Sequence, residues 1–134
     1  MSTRIGEQLP SCEIAITQEL IDAYAAISGD FNPLHVDQIA AAASPFGGTI
    51  AHGCLPMEPV FQSMQRWLGT DVLPPKTAIR LRYRAPSRPG DRIRADAHVA
   101  SEKFVDGRGA VTIAFACLNQ RDERVIDGEC DLVL

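Results

Sequence analysis

The sequence lacks several features that would place it quickly in a functional class. No apolar run approaches the roughly 20 residues that a membrane-spanning helix needs, and the amino terminus has no apolar core like that of a signal peptide. A net charge of −4 argues against the basic character typical of nucleic-acid binding. Internal repeats and low-complexity linkers are also missing. The sequence therefore predicts one cytoplasmic domain over residues 1–134, with no membrane or nucleic-acid partner.

Cysteine and histidine are too sparse and scattered to indicate a disulfide framework or a metal site. The four cysteines include no Cys-x-x-Cys pair, and the three histidines lie far apart along the chain. We interpret the cysteines as reduced and Cys12, Cys117 and Cys130 as small core residues in strands. The sequence therefore predicts that no metal or redox cofactor is needed.

Hydrophobic periodicity predicts three helices in the first half of the chain. A short strand over 12–16 precedes a helix that is capped by Thr17 and stopped by Gly29. An alanine-rich helix follows over 37–43, and an apolar stripe predicts the main helix over 54–68. A proline at position 59 should distort or delay this last helix, because proline lacks a backbone N–H.

The second half of the chain predicts four strands, over residues 79–84, 93–99, 111–118 and 125–134. The third is apolar on both faces, as a central strand should be. Turn signals at 89–91 and 106–107 fit a meander. One long helix beside an antiparallel sheet of about five strands is an α+β domain.

The segment over residues 24–35 is the most informative part of the sequence. It places Asp30 and His35 five residues apart, with Asn32 and Pro33 between them. Glycine and proline interrupt regular structure, so both side chains can lie on one tight turn. A carboxylate and a neutral imidazole directed at one point can hold and activate a water molecule. The alternative is a capped turn, with Asn32 as N-cap, Pro33 at the first helical position and Asp30 in an Asx-turn.

This segment resembles the signature of the MaoC-like, (R)-specific enoyl-CoA hydratases. The shared pattern is Tyr24, a run of small residues, Ser-Gly, Asp-x-Asn-Pro-Leu-His and a small residue six positions later, here Ala41. The resemblance implies a hot dog fold over nearly the whole chain, with a five-stranded antiparallel sheet around a central helix and a helical overhang carrying the motif. It also implies that Asp30 and His35 are catalytic and that Asn32 belongs to the substrate-binding site.

A second candidate region leads into the main helix at Gly53. Backbone N–H groups at a helix start are unpaired, and the helix dipole adds positive charge there. Without a Cβ, Gly53 allows a ligand to approach its backbone closely. In the family the His-Gly pair resembles an oxyanion hole, which assigns that catalytic role to the Gly53 N–H. The alternative is a strand-to-helix turn that needs glycine.

His52 is expected to line the acyl pocket, or to pack with a ring nitrogen bonded to a backbone carbonyl.

Cys54 and an arginine-rich strand complete the candidate site. A thiol at a helix start can be activated, but no third group orients Cys54 and His52, so we place Cys54 in the substrate-binding site rather than as a nucleophile. Arg84 is assigned to substrate binding as one of a basic row, which includes Arg80 and Arg82 and is reinforced by Arg88, Arg92 and Arg94. The row is either a solvated strand face or a clamp for the phosphates of coenzyme A or phosphopantetheine.

The resemblance implies a hydro-lyase that adds water reversibly to a trans-2-enoyl-CoA thioester, giving an (R)-3-hydroxyacyl-CoA. One alternative is a dehydratase of a carrier-protein-bound or branched 3-hydroxyacyl thioester. Another is a hot dog acyl-CoA thioesterase, and a third is a non-catalytic acyl-binding module, which would gain nothing from burying an acid and an imidazole together. The resemblance further implies a homodimer with the site near its seam.

Overall fold

The computed structural model describes residues 4–134, and within them it contains five strands and four helices. In chain order the elements are β1 (Glu13–Ala15), α1 (Gln18–Ser28), α2 (Pro33–Val36), α3 (Gln38–Ala42), α4 (Cys54–Leu68), β2 (Ala78–Tyr83), β3 (Arg92–Val105), β4 (Arg108–Leu118) and β5 (Arg124–Val133). The expected α+β class is confirmed, and the predicted elements are all present. Between residues 4 and 134, no helix is long and apolar enough to cross a bilayer.

The five strands form one antiparallel sheet in the order β1-β3-β4-β5-β2. β3, β4 and β5 are a meander, and the predicted turn between β3 and β4 is present, with Asp106 and Gly107 both at positive φ. The prediction of a meander through all four later strands is wrong, because β2 pairs with β5 rather than with β3. The turn at 89–91 bonds instead to the end of β1: the Gly90 N–H donates to the Ile16 carbonyl, and the Ile16 N–H donates to the Asp91 carbonyl.

Helix α4 lies across the sheet and supplies the centre of the core. It contacts β1, β3, β4 and β5, and its Val60 and Met64 side chains are fully buried. The expectation that Pro59 delays this helix is wrong, since the helix is continuous from Cys54 to Leu68. Pro56 lies in the first turn, where an N–H has no helical acceptor, so only Pro59 removes an interior hydrogen bond. The burial of the Pro59 ring in the core offsets that loss.

The pairing of β2 with β5 depends on Gly128. A Cβ at this position would overlap the carbonyl oxygen of Arg80 and lie 2.8 Å from the Cα of Leu81. Only glycine therefore allows the two backbones to approach this closely. This close pairing of β2 with β5 also positions the end of β2, where Tyr83 lies beside the start of α4.

Candidate active site

Asp30 and His35 lie together on the turn between α1 and α2. Gly29, at φ 80°, ends α1 in the left-handed conformation. Asp30 Oδ1 then accepts from the Asn32 N–H at 3.2 Å, and Asn32 Oδ1 caps α2 by accepting from the Leu34 N–H at 3.0 Å. The capped turn is therefore real, and it is compatible with catalysis, because it occupies one oxygen of Asp30. The other oxygen, Oδ2, lies 3.8 Å from His35 Nε2.

The hydrogen bond on the far side of the His35 ring defines its tautomer. His35 Nδ1 lies 2.8 Å from the carbonyl oxygen of Ile50. A carbonyl oxygen can only accept, so Nδ1 carries the proton and Nε2 of the neutral ring has a free lone pair. The 3.8 Å between Nε2 and Asp30 Oδ2 is too long for a hydrogen bond. A water molecule can donate one hydrogen to each of these acceptors and keep an oxygen lone pair free for attack.

His52 contacts both members of this pair and holds them in place. Its Nε2 donates to the backbone carbonyl of Asp30 at 2.9 Å, and its ring stacks on His35 with centroids 3.9 Å apart. The Tyr24 ring also contacts the His52 ring, with centroids 4.7 Å apart and a tilt of 55°, and only 3% of His52 is exposed. The expected packing, with a ring nitrogen bonded to a backbone carbonyl, is what the structure shows. His52 thereby restrains both the backbone of Asp30 and the ring plane of His35.

Folding also brings together a potential metal-ligand set that the linear sequence did not indicate. Ligand atoms of Asp30, His35 and His52 lie within 4.8 Å of one another. The argument that the histidines are too scattered for a metal site is therefore wrong for two of the three. The two rings are stacked, however, at an interplanar angle of 26°. Imidazole lone pairs lie in the ring plane, so those of stacked rings run side by side instead of converging on one ion. The arrangement suits a bound water better than a shared metal.

Gly53 is the N-cap of α4 and presents free backbone donors toward the start of the helix. In the first turn, the Leu55 N–H already donates to the His52 carbonyl at 3.0 Å, and Pro56 has no N–H. The amides of Gly53 and Cys54 have no hydrogen-bond acceptor among residues 4–134. These two N–H groups are therefore available to an anionic or polarised oxygen, and the helix dipole adds to their attraction.

The reason for glycine at position 53 is a side chain that sequence reasoning did not place at the site. Gly53 has ordinary right-handed backbone angles, φ −57° and ψ −27°, which any residue can adopt. A Cβ there would lie 2.5 Å from the hydroxyl oxygen of Tyr83 and 2.8 Å from its Cζ. The close neighbour of Gly53 is thus Tyr83, where we had expected only space for a ligand. The one signal for this was the alternation of β2, which directs Tyr83 to the same side as its apolar residues.

Cys54 is exposed at the start of α4, close to the hydroxyl of Tyr24. Donation of a hydrogen bond from the Tyr24 hydroxyl toward the Cys54 sulfur is the main cause that raises the pKa of Tyr24, and the negative charge of Asp30 raises it further. Tyr24 is therefore a neutral phenol at physiological pH. A thiol paired with a neutral phenol has no base to activate it, which favours a place for Cys54 in the wall of the site over a nucleophilic role.

The predicted arginine row lies on the sheet face opposite Tyr83 and is matched by acids on β5. Arg80 bonds to Asp131 at 2.7 Å, and Arg84 bonds to Asp127 at 3.0 Å. These hydrogen bonds lower the pKa values of Asp131 and Asp127 below their usual range. Arg80 fits the solvated strand face better than the phosphate clamp. For Arg84, binding a phosphate would require an exchange of partners with Asp127, and its assignment to substrate binding stays a prediction.

Several known proteins are similar to this chain in sequence. The family model described as a MaoC like domain matches residues 1–116. The 3-hydroxyacyl-thioester dehydratase Z of Mycobacterium tuberculosis is 33% identical over 117 residues, which cover 83% of this chain and 76% of that protein. The 3-hydroxybutyryl-CoA dehydratase of Methylorubrum extorquens is 33% identical, over 85% of this chain and 70% of its own length. The (R)-specific enoyl-CoA hydratase of Aeromonas caviae is 29% identical, over 94% and 87% respectively.

Solved structures confirm the fold. An unliganded R-hydratase from Pseudomonas aeruginosa superposes with a TM-score of 0.78 at 28% identity, covering 97% of this chain and 81% of that one. The R-hydratase of Aeromonas caviae gives a TM-score of 0.82 at 24% identity, covering 99% and 98% of the two chains. The expected hot dog architecture, with a sheet around a central helix, is confirmed.

Proposed function

This chain belongs to the MaoC-like domain family, and from that premise we propose that it catalyses the reversible addition of water to a trans-2-enoyl-CoA thioester, giving an (R)-3-hydroxyacyl-CoA. It is a hydro-lyase, as its hydratase and dehydratase relatives are. The observation that carries the proposal is the distance of 3.8 Å between Asp30 Oδ2 and His35 Nε2, which places two acceptors close enough to bind the same water molecule.

The proposed reaction uses a single water held between Asp30 and His35. The water oxygen attacks C3 while one of its protons passes to the pair, and the electron pair of the double bond moves toward C2 and the thioester oxygen. The pair then returns a proton to C2, so hydrogen and hydroxyl add to the same face. We assign Asp30 as the principal base and His35 as the group that orients the water.

The Gly53 N–H stabilises the charge that develops on the thioester oxygen. A free amide at a helix start is a preorganised donor, and such donors lower the barrier most where charge appears in the transition state. The first-turn amides of α4 have this character because Leu55 is bonded internally and Pro56 carries no hydrogen. The reaction needs no metal or redox step, because every proton is moved by a carboxylate or an imidazole.

A homodimer is part of the proposal. β1 is three residues long, and backbone hydrogen bonds from the segment before it reach along β3 only as far as Val99. Among residues 4–134, the rest of that edge of β3, up to Val105, has no paired strand. Beside the site, Ile27, Phe31 and Ile39 expose 60% or more of their surface. The Asp30 side chain is itself 53% exposed, and a second subunit over this region would shield the water from bulk solvent. Sedimentation at micromolar concentration tests it: a fully active monomer would contradict the proposal.

The activity test separates the proposed hydratase from the thioesterase. Crotonyl-CoA and longer enoyl-CoAs are incubated with the protein, and loss of the conjugated thioester absorbance is followed alongside release of free thiol. We expect absorbance loss without thiol in the wild type and neither change in Asp30→Asn. Thiol release at the same rate as absorbance loss would instead support the thioesterase. A dehydratase of carrier-protein-bound or branched substrates would act on those thioesters and leave crotonyl-CoA nearly untouched.

A further inference from the structure

Tyr83 places a hydroxyl group beside the amide that is proposed to bind the substrate oxygen. It is the last residue of β2, and Leu81 and Ile79, two and four positions earlier, pack against the core. Side chains alternate along a strand, so Tyr83 points to the same side. Its β5 neighbour, Ile126, is fully buried, yet 57% of Tyr83 is exposed. The ring therefore stands at the edge of the core, over the amino-terminal end of α4.

The distance between Tyr83 and Gly53 allows both to bind one oxygen atom. A Cβ on Gly53 would lie 2.5 Å from Tyr83 Oη. Because that Cβ and the amide nitrogen are bonded to the same Cα, they are about 2.5 Å apart, and Oη lies within about 5 Å of the nitrogen. Two donors that are each about 2.9 Å from a shared acceptor are separated by at most about 5.8 Å. One carbonyl oxygen can thus accept from both groups.

The Tyr83 hydroxyl is also free to donate. It forms no hydrogen bond with another group in the stretch from residue 4 to residue 134. Burial of the ring raises the pKa of Tyr83. The hydroxyl therefore keeps its proton at physiological pH. A protonated donor without a partner, at the edge of the proposed oxyanion site, is available to a ligand.

We propose that Tyr83 is a second donor to the substrate: its hydroxyl and the Gly53 N–H together bind the thioester carbonyl oxygen. Both hydrogen bonds strengthen as that oxygen gains negative charge, so they favour the transition state over the ground state. The inference rests on the proposed function, because it needs a thioester whose carbonyl lies at the start of α4. The proposal also explains why residue 53 is glycine, because a side chain there would displace the Tyr83 hydroxyl from its place beside the Gly53 amide.

The test compares two substitutions of Tyr83 in the full-length protein, with crotonyl-CoA as the probe. Tyr83→Phe keeps the ring and removes the hydroxyl, and we expect kcat/KM to fall about 10- to 100-fold, mainly in kcat with little change in KM. We expect kcat/KM of Tyr83→Ala to fall by at least the same factor. Thr112→Val is the matched control, because it removes a hydroxyl that bonds to Asp131, away from the site. This variant should keep wild-type kcat. Thermal unfolding of each variant confirms that it is folded.

Two outcomes would overturn the donor role. Wild-type kcat in Tyr83→Phe would mean that the hydroxyl takes no part, and faster turnover in Tyr83→Ala would mean that the ring obstructs the site. Asp30→Asn, measured in parallel, separates this inference from the function on which it rests. An inactive Asp30→Asn together with a fully active Tyr83→Phe overturns the role of Tyr83 alone. An active Asp30→Asn overturns the hydratase mechanism, and the donor role with it.

Discussion

Two glycines of this protein should respond in opposite ways to the same substitution, alanine. A Cβ on Gly128 would meet backbone: it would overlap the Arg80 carbonyl oxygen and lie 2.8 Å from Leu81 Cα. A Cβ on Gly53 would meet only the end of the Tyr83 side chain, at 2.5 Å from its hydroxyl oxygen. Backbone in a paired strand cannot move without breaking the ladder, whereas a half-exposed ring can turn into solvent. We therefore expect Gly128→Ala to affect stability and Gly53→Ala to affect catalysis.

The geometry sets the expected size of each effect. For Gly128→Ala, β2 must move away from β5, because the Cβ–Cα distance of 2.8 Å is well inside van der Waals contact. Overpacking of this kind costs about 1–3 kcal/mol, and a clash with backbone belongs at or above the upper end, about 3 kcal/mol. In a domain of this size, that lowers Tm by about 10 °C. For Gly53→Ala the free energy of unfolding should change by less than about 1 kcal/mol, while kcat falls at least about tenfold as the Tyr83 hydroxyl is displaced.

Two measurements on both variants test these expectations. Thermal or urea unfolding gives the stability, and steady-state hydration of crotonyl-CoA gives kcat. The reasoning is refuted if Gly128→Ala unfolds at the wild-type temperature, since β2 then does not lie against Gly128 as described. It is equally refuted if Gly53→Ala is destabilised as strongly as Gly128→Ala, or if it keeps wild-type kcat. The double variant Gly53→Ala/Tyr83→Ala should be as stable as Tyr83→Ala, because the clash is removed with the ring.

Three further predictions concern the Asp30–His35 pair, the Cys54 thiol and the Arg84–Asp127 ion pair. Asp30→Asn and His35→Ala should each lower kcat by orders of magnitude while the unfolding transition stays near that of the wild type, because each removes an acceptor for the water; near wild-type hydration by either variant would contradict the mechanism. Cys54→Ala should slow hydration by less than about tenfold, since the thiol lies in the wall of the site, and complete loss of activity would argue for a nucleophilic thiol. Arg84 lowers the pKa of Asp127, so this pair contributes stability above the ordinary pKa of 3.8 that is lost as pH falls through the lower folded value. Tm measured from about pH 5 to pH 2 should therefore fall less steeply in Arg84→Ala than in the wild type.

The parts of the fold that were predictable from sequence are those set by neighbouring residues. Thr17 and Gly29 bound α1 because a cap and a left-handed glycine act within a few positions. The bounds of α4 follow from its apolar stripe. The order of the strands did not follow, because the pairing of β2 with β5 joins residues about 50 positions apart and is permitted by the single glycine at Gly128.

The same distinction explains what was and was not foreseen in the candidate site. Asp30 and His35 are five positions apart, so the turn chemistry between them was visible in the sequence. The stacking of His52 on His35 joins residues 17 positions apart, and it depends on how the loop before α4 packs against α1. The arginine row was visible as an alternation, but the acids that neutralise it lie on β5 and are revealed only by the strand register.

Gly53 shows how a residue can be selected from the sequence for an incomplete reason. A glycine before a helix suggests either a special backbone angle or room for a ligand, yet its φ of −57° requires no glycine. What requires glycine is Tyr83, 30 positions later, whose hydroxyl fills the place that a Cβ would take. If the free Gly53 N–H and the free Tyr83 hydroxyl bind the same oxygen, then the absence of a side chain at one residue and the presence of a hydroxyl at the other serve a single purpose. Substituting either residue should then impair the same step, and the double substitution should cost less than the sum of the two single effects.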